Sequence, residues 1–432
     1  MMVVISNGFN KFVLAIAAEE ANRRGTLVHL ITGAYPTRFI TAVLGVLGLS
    51  TARKFGRLLQ RAHEIPENKI TSLFAAELIF QIAMLLRRFR PMYKLSEWLD
   101  LSSFRLYKRA ACRIMRRIGP EARIYHYRAG FGGRSAQIAR ANGMVLLCDH
   151  TIAHPSLLEY LVENDGKFPL HPISPKSPLW CEILKDIEQA DHVRVNSEFV
   201  RETFIFMGWD RSRIHPIQLG IDNQFLDALP IRKFRTVNQN DPLRLMFAGS
   251  FERRKGAHVL MAALAQLNDF NWEFHIAGSV ESGIFSDHMK FFDAPRVHLL
   301  GTLSRMELAQ EMTKTDIFVY PTLADDAARA ITEALAAGCY VITTPNSGSI
   351  VQHGVNGAIV PPGDASALAV AIRRAGADRQ KLASIAQANA NLIRRRYRQC
   401  DYGDSLAALY AQLLTVTSGN NVKHDDTSMR RI

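Results

Sequence analysis

The chain has 432 residues, enough for two or three domains, and its 48% hydrophobic and 22% charged residues describe full globular cores rather than a disordered polymer. Its five cysteines (Cys112, Cys148, Cys181, Cys339 and Cys400) are scattered and odd in number, which argues against a disulfide framework or a structural zinc site and for a reducing compartment. A formal net charge of +13 points to an acidic partner such as nucleic acid, anionic lipid or a phosphorylated substrate, although a plain basic soluble protein has the same balance.

The N-terminus, MMVVISNGFNK, lacks a basic n-region and a cleavage site. The best apolar run, FITAVLGVLGL (39–49), is too short to cross a bilayer. The expectation is a cytoplasmic protein. VVIS, TLVHLIT, RIYHYR, MVLLCDH, HVRVNS and HPIQLG read as strands, mostly separated by helical stretches. Between Thr51 and Ile118 the pattern turns mainly helical and basic, which predicts an insertion or cap on the first sheet. Phe89, Tyr93, Trp98, Phe104 and Tyr107 are interleaved there. Such helices either rest peripherally on an anionic membrane, on the inner face, or turn an aromatic stripe to the core and a basic face to water. Nucleic-acid binding is not expected, because no recognised module is present.

MVLLCDHTIAHP ends a strand with Asp149, His150 and His154. Two histidines four apart suit a metal on a helix, but Pro155 and the strand context argue against that helix. No third ligand is evident, so no metal is expected. The polar segment TVNQNDP (236–242) marks the boundary between two halves, 1–235 and 243–398. A helix over 399–416 is expected to pack back on the first half, with a disordered tail at 417–432.

The second half alternates more cleanly. LRLMFAG, WEFHIAG, VHLLG, DIFVYP, YVITT and GAIV are strand-like runs, and amphipathic segments stand between most of them. Strand then helix with short connections predicts a parallel, doubly wound sheet, whose ligands sit at the carboxyl ends of the strands. In FAGSFERRKGAHVL a glycine-containing turn follows such a strand and opens a helix, with Arg253, Arg254 and Lys255 at the helix start. Free N–H groups and the positive dipole end suit an anion there, whereas cations need one to neutralise them. The two readings are a phosphate site and a solvated basic turn.

In DIFVYPTLADDAARAITEALAAG a strand ends at Pro321 and an acidic loop, Asp325–Asp326, precedes a helix containing Glu333. Glu333 sits among Ala, Ile and Leu, where a carboxylate needs partners. Those partners are either ligand hydroxyls or Arg329 one turn earlier. Asp325 and Asp326 equally suit an N-cap and a first-turn acid.

Taken in order, these blocks resemble the donor domain of retaining glycosyltransferases of family 4 (glycosyl transferases group 1). The turn ending in Lys255–Gly256, DDAARAITEALAAGCYVI beside the family's Glu-x7-Glu pattern, and IVQHGVNGAIVPPGD (350–364) agree from about Leu243 to Asp364. VRVNSEFVRETFIFMGWDRSRIHPIQLGIDNQFL (193–226) resembles the end of the family's first domain. The resemblance implies an α/β fold of GT-B architecture, two Rossmann-like doubly wound domains facing across a cleft. It implies transfer of a sugar from an NDP-sugar donor to a saccharide or lipid-linked acceptor, retaining and metal-independent, with no other cofactor.

On this resemblance Arg254 and Lys255 bind the donor pyrophosphate, Glu333 holds the ribose hydroxyls, and Asp325 and His150 lie by the donor sugar. Gly249 belongs to the phosphate turn, Gly278 and Thr302 flank the base, and Gly8 lets backbone approach the phosphates. This chain departs from the pattern at Asp325, one methylene shorter than the family's Glu, at Asp326–Ala328, where the family is glycine-rich, and at Ser349. A sugar-nucleotide epimerase and a catalytically silent binding subunit are the rival readings.

Overall fold

β-branched and aromatic runs bounded by Gly, Asn or Asp become the strands of a computed structural model that describes residues 2–10, 13–37, 41, 64–87, 89–175, 177–230 and 241–425. Seven strands form the first sheet: β1 (Val3–Gly8), β2 (Leu27–Thr32), β3 (Ile70–Ser72), β4 (Ile124–Arg128), β5 (Val145–Asp149), β6 (His192–Val195) and β7 (Ile214–Pro216). Their order is β3-β2-β1-β4-β5-β6-β7, and every ladder described is parallel. The second sheet holds β8 (Leu243–Ala248), β9 (Trp272–Ala277), β10 (Val297–Gly301), β11 (Ile317–Tyr320), β12 (Tyr340–Thr343) and β13 (Gly357–Ile359). It runs β10-β9-β8-β11-β12-β13, also parallel. Both are doubly wound, with helices between strands covering both faces, as the alternation predicts.

The chain divides into two compact units, residues 1–150 with 177–194 and 403–432, and residues 151–176 with 195–402. In the second unit Leu245, Phe247, Phe274, Ile276, Phe318 and Ile342 are fully buried at the centre of one core. In the first, Tyr410 of the closing helix Gln399–Asp425 donates to or accepts from buried His126 Nδ1 at 2.8 Å. That helix runs past residue 416, where falling apolar content suggests an end.

Among the described residues the basic region holds two α-helices, Phe74–Leu86 and Tyr93–Met115, but it also contains β3. Three residues, ITS, are too few to show a strand period, and they pair with Leu30–Thr32 of β2. The first part of this region (51–63), Arg88, most of the expected boundary (236–240) and residues 426–432 lie outside the described residues. No described helix is long and apolar enough to cross a membrane.

Candidate active site at the switch point of the second sheet

β8 and β11 are neighbours although about seventy residues separate them, because the chain winds outward in both directions from this pair. This pair is the switch point of the sheet, and open α/β sheets bind ligands in the crevice outside the carboxyl ends of the strands at such a point. The loop after β8 is 249–256 and the loop after β11 is 321–328. They are stitched together: Leu323 N–H donates to Arg254 O at 2.9 Å and Thr322 Oγ1 to the same oxygen at 3.0 Å. Gly256 has φ +78°, and a Cβ there would fall 2.0 Å from Pro321 O, so only glycine lets the loops approach this closely.

Asp325 is the hub. Its carboxylate forms an ion pair with Lys255 Nζ, accepts from Arg254 Nη1 at 3.4 Å and from Tyr320 Oη at 2.8 Å, and takes the Asp326 N–H at 3.0 Å. Burial pushes this carboxyl up, but the charges of Lys255 and Arg254 and the hydrogen bonds from Lys255 and Tyr320 outweigh it and hold the group below the usual range. The acid is thus ionised and positions two cations at the crevice.

Asp326 has the opposite fate: burial, then the adjacent Asp325 charge, push it up to about 6. Asn196 Nδ2 donates to its carboxylate at 3.2 Å, and Ser197 Oγ to its backbone oxygen at 2.5 Å. Neither acid caps the following helix, which starts at Arg329 with Ala328 as its N-cap. The capping alternative fails because the loop is too long for it.

The three basic residues do not require an outside anion to be tolerated. Arg253 pairs with Asp165 at 2.9 Å, Arg254 with Glu252 at 3.0 Å, and Lys255 with Asp325. They also precede the helix rather than occupy its first turn, since Ala257–Ala265 begins after Gly256. What remains of the anion argument is geometric. The helices Ala257–Ala265 and Arg329–Ala336 both start at this crevice, so their uncapped N–H ends and dipoles add to the side-chain cations.

Glu333 is buried, and its partner is Arg305 Nη1 at 3.2 Å rather than Arg329. Arg329 reaches Asp222 Oδ2 at 3.2 Å instead, and Arg305 pairs with the same carboxylate. Burial raises the Glu333 carboxyl even though both arginines pull it down. Gly249 and Gly278 directly follow β8 and β9, with Gly249 N–H on Ala277 O at 2.8 Å and Gly278 N–H on Gly301 O at 2.7 Å. Thr302 follows β10 and is exposed. Arg254, Lys255, Asp325, Gly249, Gly278, Thr302 and Glu333 thus all lie on segments leaving the carboxyl ends of this sheet.

The remaining two expected residues belong to the first unit. Gly8 ends β1, but its N–H already donates to Tyr107 Oη at 3.1 Å, and the Phe131 ring fills the space beside its Cα. His150 follows β5; it is buried, and its N–H donates to Arg194 O at 3.0 Å. Beside it Asp149 is clasped by Arg194 at 3.1 Å and His126 at 3.4 Å. His154 is buried in the second unit, where its N–H donates to Thr203 Oγ1 and its ring packs on Phe204.

Sequence reasoning missed Tyr320, Arg305, Asp222 and Asp165. Tyr320, at a strand's carboxyl end, was open to notice; the others join segments far apart in the chain. It also missed Glu273, His275 and His298, the cluster among the described residues spaced to hold a metal ion. Arg244 Nη2 lies 3.4 Å from His275 Nδ1, and an arginine can only donate. Arg244 also pairs with Glu273 at 3.3 Å, so a cation already stands beside this cluster.

Residues 242–378, within the second unit, match the family described as Glycosyl transferases group 1. The amylovoran biosynthesis glycosyltransferase AmsK of Erwinia amylovora is 25% identical over 198 residues, 41% of this chain and 46% of its own. The chain thus spans about half the length of that relative. Anabaena Alr3699/HepE, solved with UDP, superposes with a TM-score of 0.60 at 16% identity, covering 95% of this chain and 100% of its own. Sucrose-phosphate synthase of Thermosynechococcus elongatus gives 0.63 at 16% identity, covering 96% and 100%. The fold is that of the GT-B glycosyltransferases.

Proposed function

We propose that the chain is a glycosyltransferase that takes a sugar from a nucleoside-diphosphate donor in the synthesis of a polysaccharide or glycoconjugate. The observation that carries this reading is the Lys255–Asp325–Arg254 cluster at the carboxyl ends of β8 and β11. Breaking the bond between the anomeric carbon and the diphosphate builds negative charge on the leaving nucleotide. Lys255, Arg254 and the two helix N-termini supply fixed positive potential where that charge grows. Cations in this place make a divalent metal unnecessary, so transfer is expected to persist in EDTA. A saccharide or lipid-linked acceptor and retention of configuration complete the proposal. The family of residues 242–378, the relative AmsK and the UDP-bound state of HepE support the donor class.

The test is calorimetric titration with UDP-, GDP- and ADP-sugars, followed by transfer assays with extracted acceptors. One of the three donors is expected to bind. The charge-balanced pair Lys255→Met with Asp325→Asn should abolish that binding without leaving a lone buried charge. Unchanged affinity in the folded double variant sinks the phosphate assignment. Because Asp325 is so fully engaged by its neighbours, a binding subunit without turnover is the second reading; donor binding with no transfer to any extract would favour it.

A further inference from the structure

The two helices Phe74–Leu86 and Tyr93–Met115 carry their polarity the wrong way round for a surface that meets water. In the first half of the second helix the buried positions are Ser96, Asp100 and Ser103. The outward ones are Leu95, Trp98 and Leu101, with Trp98 61% exposed. On the first helix Phe74, Leu78, Ile82 and Leu85 form one exposed stripe at helical spacing, and Phe89 in the connection is as exposed as Trp98. Among the described residues, most of the large exposed apolar side chains fall between Phe74 and Leu106. A contiguous apolar face of this kind marks a docking surface. The Arg87–Asp100 ion pair at 2.5 Å ties the two helices together beneath it.

The charge around the face says what docks. Residues 74–117 contain ten Lys or Arg against three Asp or Glu. Glu77 and Asp100 are buried, whereas Arg90, Lys94, Arg105 and Arg109 are exposed. Apolar side chains with an outward tryptophan and a cationic rim fit the boundary between acyl chains and anionic headgroups. A protein partner of matching chemistry would need a long acidic, apolar surface, and a second copy of this face would bring like charges together. We infer that this helical pair seats the protein on an anionic lipid bilayer, inserting Phe89, Leu95 and Trp98 among the headgroups.

The experiment is sedimentation of the full chain with vesicles of phosphatidylcholine containing about a quarter phosphatidylglycerol, against phosphatidylcholine alone. Bromine-labelled acyl chains report tryptophan insertion by quenching. Binding is expected to the anionic vesicles, with quenching that disappears in Trp98→Phe. Leu95→Ser with Trp98→Ser should weaken partitioning about tenfold or more. These residues face outward, and circular dichroism confirms that the variant stays folded. Three results overturn the inference: no anionic vesicle binding; binding that the double variant does not change; or a concentration-dependent dimer that the variant abolishes while vesicles are ignored. Donor binding is read separately, so the proposed activity stands or falls on its own.

Discussion

Arg305 Nη1 lies 3.2 Å from Glu333 Oε1, which joins the helix after β10 to the helix after β11 across the outer end of the candidate site. Burial already raises the Glu333 carboxyl, so removing its cation leaves a carboxylate that must bind a proton or stay charged in a poor solvent. Arg305→Ala is expected to cost about 1–3 kcal/mol, and the double variant with Glu333→Gln should recover much of that loss. Chemical denaturation of the three variants completes the cycle. Additive losses would show that the pair is not coupled.

Asp326 makes stability depend on pH in a defined window. Its folded value of about 6 lies above the ordinary 3.8, so the folded state binds the proton more tightly than the unfolded chain. The stabilisation is fully present below about pH 4 and is lost as pH rises through about 6. Asp326→Asn keeps the shape but not the titration. The melting temperature of the variant relative to the wild type should climb between about pH 4 and 6 and then level off. A difference that does not change with pH refutes the assignment.

All six strands of the second sheet are legible in the sequence, because each is an apolar run closed within a residue or two by Gly, Pro or Thr, and all but β12 are followed by a helix. β3 is not, since it is three residues long and its strand character comes from pairing with β2. The same division runs through the site. Lys255, Gly256 and Asp325 stand in local patterns and can be placed by eye. Arg305 is 28 residues before Glu333, and only the order β10-β9-β8-β11 brings their helices together. The basic cluster at 253–255 could be seen, but not that Asp165 neutralises Arg253, because it approaches from nearly ninety residues away. The inverted helix over 93–106 was visible only as a mixture of aromatic and basic residues until the buried serines fixed its inner face.

Gly278 and Gly249 offer a test of packing at the site. Gly278 has φ +137°, and a Cβ there would meet Gly249 O at 2.0 Å. Backbone cannot swing aside as a side chain does, so Gly278→Ala is expected to cost about 3 kcal/mol or more and to weaken donor binding with it. Gly143 is the control. It has φ +77° but nothing within 4 Å, so Gly143→Ala should cost only about 1 kcal/mol. Equal melting temperatures for the two variants would contradict the close approach of the β8 and β9 turns.

His126 supplies the opposite pH dependence. It is fully buried between Tyr410 Oη at 2.8 Å and Asp149 at 3.4 Å. Burial lowers its pKa below 6.5 in spite of the Asp149 carboxylate, which pulls the other way. The unfolded chain therefore takes up a proton first as pH falls. Stability from this group is present above about 6.5 and is lost as pH drops through the lower folded value. The wild type should thus weaken on acidification relative to His126→Gln. Tyr410→Phe, which removes one buried hydrogen bond to the ring, should cost about 1 kcal/mol near neutrality. Asp326 and His126 act with opposite sign over overlapping ranges, so the wild-type profile alone conceals both. Combining His126→Gln with Asp326→Asn should flatten the profile between about pH 4 and 6.5 more than either change alone. A double variant as pH-sensitive as its parents would mean that other groups govern the slope.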